Sequence, residues 1–208
     1  MYTEDDFADP DIASPYTRSK ILSEKAAWRF VAERKAENQS CFELVVLNPG
    51  LITGPVFHDT FCASMEVAKR LMCGELWMLP DLCLPSCDAR DVALAHIRAL
   101  SSAEVVDKRH LLLNSATPHT FKEVAEYLGA EFSSRGYSIR RVVAPDFFIY
   151  LASFFDSSAK FVLGMLGKRP RFDTARLSQV FGIQAFDVRQ SFIEMSYSMI
   201  EKGFIPKK

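Results

Sequence analysis

A tyrosine and a lysine near the start of the chain have the types and spacing for proton-transfer chemistry. In the stretch SPYTRSK, Tyr16 and Lys20 stand four residues apart, and on a helix such positions share one face. A phenol ordinarily titrates near about pH 10, and a neighbouring ammonium favours the phenolate, which makes the hydroxyl a useful acid closer to neutral pH. The spacing alone is equally compatible with a surface tyrosine beside a solvated lysine, so it leaves both interpretations open.

The helix that must carry this pair has a clear start. Ser14 followed by Pro15 is typical of a capped helix, because serine accepts from free amides and proline is tolerated at the first position. No Gly or Pro occurs from Tyr16 to Asn38, which predicts a helix of about six turns. The acidic segment before it, with Pro10, predicts a loop.

A second candidate site follows an apolar segment. The residues FELVVLN, from Phe42 to Asn48, predict a buried strand, and PGLITGP directly after them predicts a turn. Ligands of α/β proteins bind at the carboxyl ends of strands. Pro49 and Gly50 are therefore candidates for a binding turn, and a tight turn without a ligand is the alternative.

The remaining pattern alternates between strands and helices. Strands are predicted at 110–114 and 138–143, and helices at 61–73, from Asp91, at 120–132, from Asp146, around 174–182 and around 187–203. Such alternation predicts an α/β fold with parallel strands. The later part is richer in helices, which indicates a lobe added to the sheet.

Composition excludes some classes of function. The chain has 208 residues, 49% of them hydrophobic, and a net charge of −1, so nothing favours a nucleic-acid partner. Its longest apolar run, from Phe147 to Phe155, is too short to span a bilayer. A core or lid helix is the first interpretation of that run, with a greasy substrate pocket or a membrane-surface contact as alternatives.

The cysteines indicate a reducing compartment. There are five, an odd number with irregular spacing, and no apolar leader follows Met1, which predicts reduced thiols and a cytoplasmic location. Cys83 and Cys87 lack the spacing of a zinc knuckle, and no second pair follows. No metal site is predicted.

Three motifs in order carry a resemblance to a known family. PYTRSKILSEKAAWRF, then LNPGLITGP, then DARDVALAHI resemble the extended short-chain dehydrogenase/reductases, of the NAD-dependent epimerase/dehydratase superfamily. The resemblance is to the dihydroflavonol-reductase and aldehyde-reductase-like branch. RFDTARLSQVFGI and SFIEMSYSMIEKGFI resemble its C-terminal pattern, so the likeness covers nearly the whole chain, as the second half or more of a family member.

The resemblance implies roles for particular residues. Tyr16 would be the general acid toward a carbonyl oxygen, and Lys20 would hold the nicotinamide ribose. Pro49, Gly50, Leu51 and Ile52 would run beside the nicotinamide. Asp91 would begin a helix as a structural cap, and His96 on the same helix would not be catalytic.

The resemblance also implies a fold and a reaction. The fold would be a Rossmann-like parallel sheet that lacks its N-terminal strands, with a smaller, mostly helical substrate lobe. Residues 1–115 would belong to the dinucleotide-binding domain, with a substrate-lobe insertion near 55–90, and 116–208 mainly to the lobe. The reaction would be an NAD(P)-dependent carbonyl reduction or alcohol oxidation of a small molecule, with NADP as the cofactor and NAD as the alternative. A homodimer is a further expectation.

Two family features are missing from the sequence. All nine glycines lie at or after Gly50, so there is no G-x-x-G-x-x-G turn, and only Thr3 and Ser14 precede Tyr16 as hydroxyl residues of the serine or threonine type. We therefore expect an incomplete form of a longer enzyme. A hydroxysteroid dehydrogenase, a sugar-nucleotide epimerase and a catalytically silent interaction protein are the alternatives.

Overall fold

The computed structural model describes residues 1–11, 13–155, 159 and 162–208. Its helices are α1 (Pro15–Ala36), α2 (Ala63–Met72), α3 (Ala89–Ala99), α4 (Phe121–Phe132), α5 (Asp146–Ala152), α6 (Ala175–Gln179) and α7 (Val188–Glu201). Its strands are β1 (Val45–Pro49), β2 (Leu51–Thr53), β3 (Cys83–Leu84), β4 (Ser86–Asp88), β5 (Lys108–Leu112) and β6 (His119–Thr120).

Two parallel strand pairs form the sheet region. β1 pairs with β5 and β2 pairs with β4, both in parallel, while β3 and β6 form a short antiparallel pair. Gly50 joins the two parallel pairs: its amide donates to the Leu112 carbonyl at 3.3 Å, and the next amide, of Leu51, donates to the Pro85 carbonyl at 2.7 Å. A Cβ at position 50 would lie 2.4 Å from the Pro85 oxygen, so only glycine fits this crossing. The predicted α/β design with parallel strands is confirmed.

Helix α1 has the predicted start and length. The Ser14 hydroxyl accepts from the Thr17 amide at 3.2 Å, Pro15 occupies the first turn, and the helix runs for 22 residues. Only Ile21 and Val31 are buried along it. Nearly all of this helix therefore lies at the surface.

The larger hydrophobic core lies among α2, α4 and α7. Each helix contributes fully buried side chains, including Met65, Leu128 and Phe192. Helix α4 begins with a capping box, in which Thr120 and Glu123 satisfy each other's backbone amides. A smaller core packs the remaining sheet against α3 and α6 through Cys87, Val92, Ala95, Val105, Leu112, Leu177, Phe181 and Ile183.

Several local predictions need correction. The strand predicted at 138–143 is wrong, because the described residues there form only one isolated bridge, between Leu79 and Val143. Ile139 is buried in the core, but Val142 is exposed and the segment pairs with another segment only at Val143 before α5 begins after Pro145, so no ladder forms. Asp91 does not cap α3; the cap is Asp88, whose side chain accepts from the Arg90 amide.

Candidate active site

Tyr16 and Lys20 lie together on the first two turns of α1. The Lys20 ammonium is 5.6 Å from the centre of the Tyr16 ring. The tyrosine is 65% exposed and the lysine is also exposed. In the part of the chain that the structure describes, Lys20 has no carboxylate partner. The pair thus presents a phenol and an ammonium group to the solvent.

One ionic contact anchors α1 to the sheet below the pair. Glu24, one turn after Lys20, binds the Arg109 guanidinium on β5 with both oxygens, and these two side chains are only 11% and 17% exposed. Trp28 adds a hydrogen bond from its indole nitrogen to Glu24 at 3.1 Å. The Arg109 guanidinium also lies 3.6 Å from the ring centre of Phe7. A largely desolvated ion pair therefore holds the tyrosine helix to β5, and a second, more exposed pair between Lys35 and Asp107 joins its far end to the residue before β5.

The turn predicted at 49–52 is wrong in part, because Pro49 ends β1, only Gly50 separates the strands, and Leu51 and Ile52 already belong to β2. Pro49 is exposed, whereas Gly50, Leu51 and Ile52 are half-buried as the chain passes into β2. Among the described residues, no hydrogen bond or ring contact joins this turn to Tyr16 or Lys20. The structure brings the tyrosine and lysine together but does not bring the turn into contact with them.

Asn48, directly before the turn, is a polar residue that the sequence reasoning did not select. Its side-chain nitrogen is buried and has no hydrogen-bond partner in the described chain. A buried donor without a partner is costly and rare in folded proteins. An amide inside an otherwise apolar strand, one residue before Pro49, was the available signal.

Of the two parts of a dinucleotide cofactor considered, the nicotinamide riboside and the pyrophosphate, only the first has candidate binding groups in this chain. The Tyr16 hydroxyl, the Lys20 ammonium and the unpaired Asn48 amide suit the hydroxyl and carboxamide oxygens of a nicotinamide riboside. No Gly-rich turn occurs in the 208 residues to receive a pyrophosphate. The described residues thus include groups of the types that bind a nicotinamide riboside, and the sequence holds no Gly-rich turn for the pyrophosphate.

A buried polar network, also missed from the sequence, lies where β2, β4 and α7 meet. The Ser191 hydroxyl donates to Asp88 at 2.6 Å and lies 2.6 Å from the Thr53 hydroxyl. Arg90 bridges Asp88 and Glu194, each at 2.7 Å. Burial raises the pKa of Asp88, but hydrogen bonds from Arg90 and Ser191 outweigh it, so the net pKa lies below its usual value.

Two other kinds of site receive no support from the described residues. No cluster of three or more His, Cys, Asp or Glu side chains is placed to hold a metal ion. Cys87 is buried, which raises the pKa of its thiol to about 12 and makes it a poor nucleophile.

Within the same residues, none of the helices is both long and apolar enough to cross a membrane.

Known reductases match this chain in sequence, although no family model does. It is 32% identical over 128 residues to NADPH-dependent methylglyoxal reductase GRE2 of Saccharomyces cerevisiae, covering 59% of this chain and 36% of that protein. It is 34% identical over 117 residues to cinnamoyl-CoA reductase 1 of Arabidopsis thaliana, covering 56% and 31%. Cinnamoyl-CoA reductase 1 of Petunia hybrida matches at 26% over 204 residues, covering 96% and 53%.

The chain is homologous to these reductases. They are short-chain dehydrogenase/reductase-like enzymes of the NAD-dependent epimerase/dehydratase type. The resemblance predicted from the three motifs is therefore confirmed. The chain spans only about a third to a half of their length.

Solved structures show the fold. Yeast methylglyoxal/isovaleraldehyde reductase Gre2 complexed with NADPH superimposes with a TM-score of 0.64 at 21% identity, covering 89% of this chain and 55% of that one. Vestitone reductase from alfalfa gives 0.70 at 21% identity, covering 98% and 59%. The predicted Rossmann-like architecture is therefore confirmed.

Proposed function

We propose that this chain belongs to an NADPH-dependent reductase that acts on a small-molecule carbonyl. The observation that carries the proposal is the Lys20 ammonium 5.6 Å from the ring of an exposed tyrosine, in a chain homologous to NADPH-dependent reductases. Both side chains are accessible to a ligand, and the lysine charge has no carboxylate partner within the described residues.

Each residue of the pair has a distinct task in this proposal. Tyr16 donates its phenolic proton to the carbonyl oxygen of the substrate, which prevents an alkoxide from accumulating. Lys20 binds the ribose hydroxyls of the cofactor and so positions it beside the phenol. NADPH, when bound, supplies the hydride that reduces the carbonyl carbon.

The turn after β1 supports the cofactor side of the site. Pro49, Gly50, Leu51 and Ile52 would flank the nicotinamide, and the close approach of Gly50 to Pro85 holds their backbone in place. We add Asn48 to this set, because its buried amide lacks an acceptor among the described residues and a nicotinamide carboxamide offers one.

Ligand-induced stabilisation tests the cofactor assignment. A ligand that binds only the native state at 100 times its Kd stabilises it by about 2.7 kcal/mol, so NADPH should raise the melting temperature. Lys20→Met should lower the affinity for NADPH at least tenfold, while Lys25→Met, also exposed on α1, should not. An equal loss in both variants would contradict the role of Lys20, and NADH in the same assay compares the two cofactors.

Turnover tests the proton donor separately. With methylglyoxal as the probe substrate, Tyr16→Phe should lower kcat by at least about a hundredfold, the lower bound for general acid catalysis. Tyr150→Phe, at a tyrosine that is 54% exposed outside this site, is the matched control. Unchanged kcat in Tyr16→Phe would remove this residue from its assigned task.

A non-catalytic binding role is the second candidate, and the absence of a Gly-rich turn in the sequence favours it. No melting shift at millimolar NADPH would favour this candidate over the first. Hydroxysteroid dehydrogenase and sugar-nucleotide epimerase activities stay open as alternative functions. The domain boundaries at 115 and 55–90, the homodimer and the cytoplasmic location also stay predictions.

A further inference from the structure

An open cavity lies between the first two residues, β3 and the loop that precedes α6. Its volume is about 540 Å³, which is in the range of small-molecule sites. The polar and charged residues that line it are Tyr2, Cys83, Lys168, Arg169 and Arg171. Neither Tyr16 nor Lys20 is among the described residues of its lining, so this cavity is distinct from the proposed proton donor.

The lining of this cavity is positively charged. Its described residues include three Lys or Arg and no Asp or Glu. Asp81, which is not part of the lining, pairs with the Arg169 guanidinium at 2.5 Å. Lys168 and Arg171 have no carboxylate partner in the described chain. Two cations of the lining are therefore available to an anionic ligand.

Hydrogen bonds to two other segments hold the loop that carries these cations. The Gly167 amide donates to the Asp81 carbonyl at 2.7 Å, and the Tyr2 amide donates to the Arg171 carbonyl, also at 2.7 Å. The Asp81 carboxylate meanwhile accepts from Arg169. Because the loop is already ordered, a ligand that binds there loses less free energy to ordering the protein.

Apolar groups form the rest of the cavity wall. Pro85, Met165 and Pro170 belong to the lining, and they suit a ligand that has a carbon body rather than a bare inorganic ion. The Pro85 carbonyl also accepts from the Leu51 amide at 2.7 Å. The cavity therefore adjoins the segment that we propose to flank the nicotinamide.

We propose that this cavity binds a small organic molecule through a phosphate group. Lys and Arg pair with phosphate oxygens through charge-assisted hydrogen bonds. Two available cations match a phosphate monoester, which carries a charge of about −1.5 to −2 near pH 7. The phosphate belongs either to NADPH or to a separate phosphate ester, since both present the same group. Binding requires no turnover, so the proposal does not depend on proton transfer by Tyr16.

Calorimetric titration of the full chain with phenyl phosphate tests the site. This probe joins an apolar ring to a dianion, and it should bind more tightly than inorganic phosphate or phenol, which each lack one part. Lys168→Gln/Arg171→Gln should weaken the binding of phenyl phosphate at least about tenfold, because two charge-assisted donors are lost. Lys168→Gln alone, at an exposed side chain, should weaken it by a smaller factor.

The control variant makes the same change of charge elsewhere. Lys207→Gln/Lys208→Gln alters two exposed lysines that do not line the cavity, and it should bind phenyl phosphate like the parent chain. Circular dichroism checks the folding of each variant, and the single variant provides the comparison if the double variant does not fold. No binding by the parent chain at millimolar phenyl phosphate, or equal weakening in both double variants, would overturn the proposal.

Titration with NADPH distinguishes the two sources of the phosphate. If NADPH displaces phenyl phosphate and also loses affinity in Lys168→Gln/Arg171→Gln, the phosphate of the cofactor occupies the cavity. If NADPH and phenyl phosphate bind together, the cavity serves a separate phosphate ester. Both outcomes support the site, whereas inorganic phosphate binding as tightly as phenyl phosphate would contradict an organic ligand.

Discussion

The tyrosine helix and the three-helix core are stabilised in different ways. Helix α1 buries only Ile21 and Val31 over 22 residues, and a desolvated ion pair to Arg109 on β5 is assisted by a more exposed one between Lys35 and Asp107. Helix α7 buries seven of its 14 residues against α2 and α4. Since burial of apolar area provides most of the stability of a fold, we expect the core to persist under conditions in which α1 detaches.

The largest expected difference in unfolding free energy between the two regions comes from replacing one phenylalanine in each by alanine. Phe192→Ala on α7 removes a fully buried ring and should lower the free energy of unfolding by about 3–5 kcal/mol. Phe30→Ala on α1 removes a ring that is 46% exposed and stacks on Phe42, so its cost should stay below about 1.5 kcal/mol. Urea unfolding of both variants measures the difference, and equal costs would break the comparison.

The next effect concerns the anchor of α1. Glu24→Gln leaves the Arg109 charge partly buried without its partner, and we expect a loss of about 3 kcal/mol with faster amide exchange along α1 than along α7. Glu33→Gln, which breaks an exposed pair with Arg29 on the same helix, should cost no more than about 0.5 kcal/mol. If both variants exchange alike, the ion pair is not the anchor.

The smallest effect is a dependence of stability on pH at β5, the strand that holds α1. His110 is fully buried, and burial lowers its pKa even though the Val105 carbonyl contact opposes this. The unfolded chain therefore binds a proton more readily than the native chain, so stability is complete above about pH 6.5 and falls as the pH drops below it. His110→Gln should flatten this slope between about pH 6.5 and pH 5 in thermal unfolding; an unchanged slope would assign it to other groups.

Local signals in the sequence were sufficient for the long helices and the main strand. Ser14 and Pro15 predicted the start of α1, and Thr120 with Glu123 marks the start of α4, because caps act within one turn of the chain. Strands β2, β3, β4 and β6 were not predicted. Each has two or three residues, and such strands exist only through pairing with distant segments.

The residues of the candidate site also differ in whether the sequence alone could reveal them. The Tyr16 and Lys20 contact follows from helical spacing alone, so it could be read from the sequence. Asn48 became a candidate only when its amide was found buried without a partner. Asp88, Ser191 and Thr53 lie far apart in the chain, and their network could not be inferred from any local pattern.

The sequence by itself determined the helical face that carries Tyr16 and Lys20 and the family resemblance, since both depend on motifs whose residues are close together in the chain. Only the tertiary structure decided which apolar residues are covered. Phe192 and Phe155 are the same residue type, yet one is fully buried and the other is 94% exposed. Burial depends on contacts between segments that lie far apart in sequence, and the folded arrangement alone specifies those contacts.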